Sequence, residues 1–426
     1  MENKLVPKVR FSEFKANEEW EDKSIGDFAK VTAGGTPDST NANYWNGEIP
    51  WMNSGELNLK RVYAVSNKIT QLGLKESSTR IIPKNCVLIG LAGQGKTRGT
   101  AAINYIELCT NQSIASIHPN PVSFNSEFLY HKIDSIYDEL RLLSTGEGGR
   151  GGLNLQIIKS LKIALPSIKE QKKIADCLFS LDDLITVETE KLGALREHKR
   201  GLMQNLFPAE GEKVPKLRFP EFKGNGDWEE KKLGTFMTYF KGFAFKSIDY
   251  SKNGVRIVRV SDLGKNQIKD NNDKIFIETK NLYEVYKILR GDIIITTVGS
   301  KPELVESAVG RPIFVKEPIE ALLNQNLLIL RPIDDNYLSY FIYCQLLKDE
   351  YSVHIKDIQR GNANQSNITV KDLLEFRTLL PFQKEQQKIA NCLSSLDEQI
   401  DIQIQKIEDL KLHKKGLMQQ LFPTIN

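Results

Sequence analysis

The sequence predicts an α+β protein: two mixed α/β lobes joined by two long helices that form an antiparallel coiled coil with pseudo-two-fold symmetry. Three observations predict it. The chain carries an internal duplicate of itself. The best-matched parts of the duplicate have the apolar spacing of long helices. The parts between them match poorly and read as short strands and helices separated by glycine-rich loops.

The duplication is visible in three pairs of segments. PKVRFSEFK (7–15) followed by Trp20 returns as PKLRFPEFK (215–223) followed by Trp228. KEQKKIADCL (169–178) returns as KEQQKIANCL (384–393), and HKRGLMQNLFP (198–208) as HKKGLMQQLFP (413–423). Between these lie segments with few shared landmarks: CTNQSIASIHP (109–119) beside LLNQNLLILRP (322–332), and Asn154 and Asn367, each before an apolar turn. Drift alone would blur the helices as much as the lobes, so two related tasks on different targets fit better than a duplication that merely aged.

The helical segments place Ile174, Leu178, Leu181, Ile185, Leu192 and Leu195 at alternating three- and four-residue steps, interrupted by Glu188 and Lys199. Ile389, Leu393, Leu396, Ile400, Ile407 and Leu410 repeat the pattern with breaks at Gln403 and Lys414. Such spacing argues a coiled-coil seam. Ser167 followed by Glu170 reads as a capping box, whereas the second copy has Phe382 at the cap position. Pro208 and Pro423 are matching stops, and Gly201 and Gly416 weaken the last turns, where a kink or break is expected. About 38 residues at 1.5 Å each give a rod of about 57 Å. The simplest partner for each rod is the other, lying antiparallel, and the chain termini then fall close together. The expected segments are 1–165 (lead-in and first lobe), 166–208 (first helix), 209–380 (lead-in and second lobe) and 381–426 (second helix).

Within the lobes, CVLIG (86–90) and DIIITT (292–297) read as buried strands, and 126–143 and 336–347 as helices. GLAGQGKT (90–97) has the letters of a phosphate-binding loop. A helix should open directly after such a loop, but RGTAAINYIELC follows with Gly99 and a strand-like run. The matching segment of the second lobe, VGSKPELVES (298–307), lacks the pattern.

The chain of 426 residues is too long for one ordinary core. Its net charge of +4 is modest for a nucleic-acid binder, so positive charge must gather in patches or come partly from other subunits. Five cysteines without a CxxC pair argue against a disulfide framework or a zinc site and fit a reducing cytosol. No signal segment or membrane span is legible, so a cytoplasmic protein is expected. The five histidines lack ligand spacing. No GxSxG, no NPPY or DPPY and no nuclease core stands out, so no catalytic or metal residues are assigned.

Polar loops are the candidates for contact with DNA. In the first lobe they offer Thr36, Ser39, Asn41, Asn43 and Tyr44, then Gln94, Lys96, Thr97 and Arg98, and Arg150 in TGEGGRGG. In the second they offer Lys241, Phe243 and Lys246, then Lys301, and Arg360, Asn362, Asn364 and Gln365. Asn and Gln suit adenine, Arg and Lys suit guanine, and hydroxyls suit either. The plainer alternative is ordinary polar turns, with Trp51 packed in the core.

The duplicated KEQ-KIA-CL helices, the paired GLMQ-LFP ends, GGTP followed by YW-G-IPW and the repeated NQ resemble type I restriction–modification specificity subunits across 7–423. That resemblance implies that each lobe is a target recognition domain reading one half of a split, asymmetric site in double-stranded DNA. It implies that the helices set the unread gap and form the subunit interface. Two modification subunits would bring S-adenosylmethionine, and two restriction subunits ATP and Mg. This chain would bind no cofactor and catalyse nothing. Two rival readings predict other outcomes: a protein-binding scaffold would show no sequence-specific DNA binding, and an NTPase acting through 90–97 would lose ATP binding in Lys96→Ala. Lobe two begins with FKGFAF where lobe one has AGGTP, so residues do not transfer from one lobe to the other by sequence.

Overall fold

The computed structural model describes residues 5–93, 95–143, 152–264, 266–278, 281–300, 308–362 and 365–423. The chain divides into two units, 1–190 with 404–426, and 191–403. The long helices are Ile168–Leu206 and Gln383–Leu421, 39 residues each. Both run without a break through Gly201 and Gly416. No atom stands within 4 Å of where a β-carbon would sit at either glycine, so each lies in open space. Only the intrinsic propensity cost, about 1 kcal/mol, remains there.

In the first unit Asp182 pairs with Lys414 and Glu188 with Lys406, both at 2.5 Å. Positions advance along the first helix as their partners retreat along the second, so the helices are antiparallel. In the second unit Lys199 pairs with Asp397, the repeat equivalents of Lys414 and Asp182. The lysines that interrupt the apolar seam are thus neutralised by carboxylates, which offsets the cost of sinking a charge among leucines. Leu192, Leu396, Ile400 and Ile407 are buried, and Leu181, Ile185, Leu195 and Leu410 half-buried. The first turns of the seam have another use. Ile174 and Leu178 lie in the core of lobe one, and Ile389 and Leu393 in that of lobe two.

Lobe one holds a five-stranded sheet in the order Val31–Ala33, Ile114–Ile117, Val87–Gly90, Ala101–Asn104, Arg61–Val62. Lobe two holds a four-stranded sheet in the order Met237–Lys241, Leu327–Pro332, Ile293–Thr296, Pro312–Phe314. The central strands are mostly apolar because both faces are covered. Side chains alternate between two cores. Ile293 and Ile295 enter one, Ile294 the other, as Val87 and Ile89 part from Leu88. Each lobe has a second sheet, of three strands in lobe one and four in lobe two.

The expected helix over 126–143 is two, Ser126–Ser135 and Tyr137–Leu142, parted at Ile136. That over 336–347 is shorter, Ser339–Gln345, and a further helix, Asp349–Ile358, follows it.

The alike sequence segments assemble each lobe. Trp20 and Phe128 pack at 5.9 Å between ring centroids and Phe128 and Phe422 at 5.4 Å. Trp228 packs on Phe341 at 5.7 Å, and Phe341 on Phe207 at 5.2 Å. Each LFP end is therefore a plug: Leu421 and Phe422 complete lobe one, Leu206 and Phe207 lobe two. The lead-ins dock on the same ends, Val9 donating its N–H to Gln420 at 3.1 Å and Leu217 to Asn205 at 2.8 Å. In the first unit the N-terminal lead-in thus lies against the end of the second helix. Gln171 accepts from the N–H of Asn125 and donates to the carbonyl of Pro166; Gln386 does the same with Leu338 and Pro381. The KEQ motif is thereby a buried fastening of helix to lobe.

Candidate nucleic-acid interface

Strand directions bring the polar loops of each lobe to one sheet end. Val31–Ala33 and Val87–Gly90 both run antiparallel to Ile114–Ile117 between them, and Ala101–Asn104 runs antiparallel to Val87–Gly90. The chain therefore leaves the first two strands, and enters the other two, at the same edge. Loop 34–44, turn 111–113 and loop 91–100 meet there. Leu91 donates its N–H to Ser113 at 2.8 Å, and Leu153, just past the glycine-rich run, donates to Leu91 at 3.0 Å.

Lobe two repeats the arrangement with different letters. Met237–Lys241 and Ile293–Thr296 are antiparallel to Leu327–Pro332, and Pro312–Phe314 to Ile293–Thr296. Thr297 donates to Asn326 at 2.8 Å and Ile368 to Thr297 at 3.0 Å, the counterparts of the two bonds above. The helix following Leu153 is capped by Asn154 and that following Ile368 by Thr369, so Thr369, not Asn367, is the structural equivalent of Asn154.

Gly34 and Gly242 occupy one position. Gly34 donates its N–H to Ile114 at 3.3 Å and Gly242 to Leu327 at 3.0 Å. A β-carbon on either would overlap a carbonyl oxygen at the NQ landmark, that of Thr110, just before it, in one lobe and that of Asn324 in the other. Only glycine allows this approach of two backbones. The glycine shared by AGGTP and FKGFAF is thus the anchor of both polar loops. Asn111 and Asn324 complete the match, donating to the carbonyls of Met52 and Val258, both at 3.0 Å.

The structure gathers many of the expected residues and assigns them unequal freedom. Thr36, exposed, donates its hydroxyl to the Gln112 side chain. Asn41 caps the 3-10 turn Ala42–Tyr44 by accepting from the N–H of Asn43, leaving the Asn43 side chain exposed. The Tyr44 hydroxyl donates to Glu76 at 2.6 Å, and that bond pushes its pKa up, so it stays protonated and directed at Glu76. Ser39 and Lys96 are exposed, Thr97 and Arg98 half-buried. Lys241 and Lys246 are exposed. Phe243 is half-buried, packed on Phe245, Tyr283 and Tyr286, so it props its loop. Arg360 is exposed and pairs with Asp372 at 2.9 Å, on the strand Arg360–Asn362 that pairs with Gln365–Asn367. Gln94, Arg150, Lys301, Asn364 and the Asn362 side chain lie outside the described residues. Trp51 is buried and donates its indole N–H to Gly35 at 3.0 Å.

Sequence reasoning missed Gln112, Arg141 and Glu76. The repeated NQ pointed to the first. Arg141 holds loop 91–100 by donating to the carbonyl of Gly95, and Tyr137 donates to that of Lys96 at 2.9 Å. The loop closes a hairpin, Val87–Ile89 against Ala101–Ile103. A phosphate-binding loop instead opens into a helix, whose amides would face the phosphates.

The sequence model of the family described as "Type I restriction modification DNA specificity domain" matches residues 17–197 and again 225–412. The chain belongs to this family. It is a type I specificity subunit with two target recognition domains, and it recognises DNA sequence. Among its relatives, the type I restriction enzyme MjaVIII specificity subunit of Methanocaldococcus jannaschii is 25% identical over 95% of this chain and 92% of its own. The MjaIX specificity subunit of the same organism is 27% identical over 96% and 93%. The crystal structure of a type I S subunit from M. genitalium shares the fold of this specificity subunit, with a TM-score of 0.63 over 99% of this chain and 100% of that one, at 16% identity. No helix among the described residues is long and apolar enough to cross a membrane.

Proposed function

We propose that this specificity subunit reads a bipartite, asymmetric site in double-stranded DNA, one half per lobe. The observation that carries the reading is the recurrence of one loop-bearing sheet end with unlike side chains. Asn43, Lys96 and Arg98 stand at one, Lys241, Lys246 and Arg360 at the other. Lysines and arginines there position the backbone, and the loop side chains select bases. The helices set the unread gap and dock two modification subunits, which carry S-adenosylmethionine, and two restriction subunits, which use ATP and Mg. The chain holds no cofactor and performs no catalysis.

Methylome sequencing of a host with and without the gene tests this. A split motif with methyladenine in each half, present only with the gene, is the expected result. Exchanging 20–165 for the lobe of another specificity subunit changes one half only, and inserting residues in both helices changes the gap without changing the bases. Absence of any gene-dependent motif overturns the reading.

A further inference from the structure

At the exit of the first polar loop each lobe registers twice against one residue, within the strand Trp45–Met52 in lobe one and through two successive strands, Tyr250–Ser251 and Val255–Val258, in lobe two. Trp45 and Ile49 both register against Ile69, and Tyr250 and Val255 both register against Ile277. Farther along, Trp51 lies beside Cys109 and Ile257 beside Leu322 in parallel pairing. This register aligns the preceding turns residue by residue: Ala42–Tyr44 with Ser247–Asp249, each a single 3-10 turn. Asn41 falls on Lys246, and Asn43 on Ile248.

Ile248 is 87% exposed. It sits on a rigid base. Phe245, three residues before it, is buried and stacks edge-on against Tyr283 at 5.2 Å; Asp249 donates its N–H to Lys246 at 3.0 Å; Tyr250 is fixed by the strand. A branched alkyl side chain held out into water at the middle of a turn, where the other lobe presents an amide, has lost its burial energy in the free protein. Lys246 precedes it and Lys241 begins the same loop, both exposed and placed to meet phosphates.

We infer that Ile248 reads the C5-methyl group of a thymine in the half-site of lobe two, while Asn43 at the same place in lobe one reads a hydrogen-bonding base edge. The inference rests on the proposed DNA reading. Among base edges in the major groove, only thymine offers an alkyl group, so an apolar side chain can discriminate only by meeting it. An asparagine matches the adenine N6 and N7 pair instead. The lobes thus share one scaffold and differ in recognition chemistry at one aligned residue.

The test uses the full complex with its modification subunits. The motif is first read by methylome sequencing for the wild type, Ile248→Ser and Val122→Ser. Val122 is equally exposed, at 87%, but follows the opposite end of its sheet. Binding is then measured on duplexes in which each thymine of the lobe-two half is replaced in turn by deoxyuridine, which lacks the methyl. The expected result is a loss of about three- to fivefold for the wild type at one thymine, the size expected of one buried methyl. Ile248→Ser is indifferent to the same replacement and relaxes that single position of the motif. Val122→Ser matches the wild type, and thermal denaturation verifies that all three proteins are folded. A clear motif whose lobe-two half lacks an A·T pair, or whose thymines all tolerate deoxyuridine, overturns the inference and leaves the DNA reading intact. No motif from the wild-type complex overturns both.

Discussion

Arg10 holds Glu170 with two parallel hydrogen bonds, Nε to Oε1 at 2.7 Å and Nη2 to Oε2 at 2.8 Å; Arg218 holds Glu385 with the same atoms at 2.8 Å each. The arginines stand in the lead-ins and the glutamates in the first turns of the helices. Both pairs are nearly dry, with side-chain exposures of 7% and 1% in each. A flanking lysine repeats as well, Lys173 to Glu13 and Lys388 to Glu221, both at 3.1 Å.

Removing one member of the buried pair leaves the other charged and unpaired. Arg218→Met is expected to destabilise the second unit by about 3–5 kcal/mol. Arg218→Met with Glu385→Met together should recover most of that loss. Urea denaturation of the two variants measures it; a double variant no better than the single one contradicts the pairing.

Gly242→Ala places a methyl against the Asn324 carbonyl, and Gly34→Ala places one against Thr110. Each should cost about 1–3 kcal/mol through forced backbone shifts. Each should also weaken reading of its own half-site while sparing the other. Half-site-specific methylation assays separate these effects from global unfolding.

His131 is fully buried among Arg61, Glu127, Asp182 and Lys414, and neither ring nitrogen has a hydrogen-bond partner. Burial, aided by the charge of Lys414, pushes its pKa down to about 3. The unfolded chain takes up this proton near pH 6.5, well before the folded one does. Stability is therefore full above about pH 6.5 and falls by about 1.4 kcal/mol per pH unit as the pH drops toward 3. His131→Leu should flatten that acid limb. Lobe two has buried Cys344 at the matching position, three residues after Phe341, so its unit should lack the limb. Urea titrations across pH 4–7 check both.

Lys96 is exposed on a hairpin loop. Lys96→Ala should weaken binding alike for all DNA sequences and lower the salt dependence of binding by about one counterion. Titration calorimetry with ATP should give no heat from the wild type. Nucleotide binding that is lost in Lys96→Ala would instead support the NTPase alternative.

The helices were legible because their signal is long: six apolar positions in each copy, with charged interruptions that recur and that the structure explains as Lys199–Asp397 and Lys414–Asp182. The loop-bearing sheet ends were only half legible. Their loops stand out in composition, but equivalence between lobes lives in backbone register, which letters barely encode. Asn53 and Arg259 share one role: each donates its N–H to an acid three residues on, Glu56 at 3.0 Å and Asp262 at 2.8 Å. Phe243 looked like a contact residue because its aromatic neighbours, Tyr283 and Tyr286, are distant in sequence. Ile248 drew no notice because apolar residues are sought inside a fold.

The plug formed by Leu421 and Phe422 has a bearing on how the protein is made. Lobe two has its own plug, Leu206 and Phe207, made before any of its strands is translated, so it can close while still attached to the ribosome. Lobe one emerges first, yet its aromatic centre stays open until the end of the second helix appears. Synthesis order and closure order are thus reversed for the two lobes. A nascent first lobe must wait, exposed to chaperones and proteases, for the stretch of chain that finishes it.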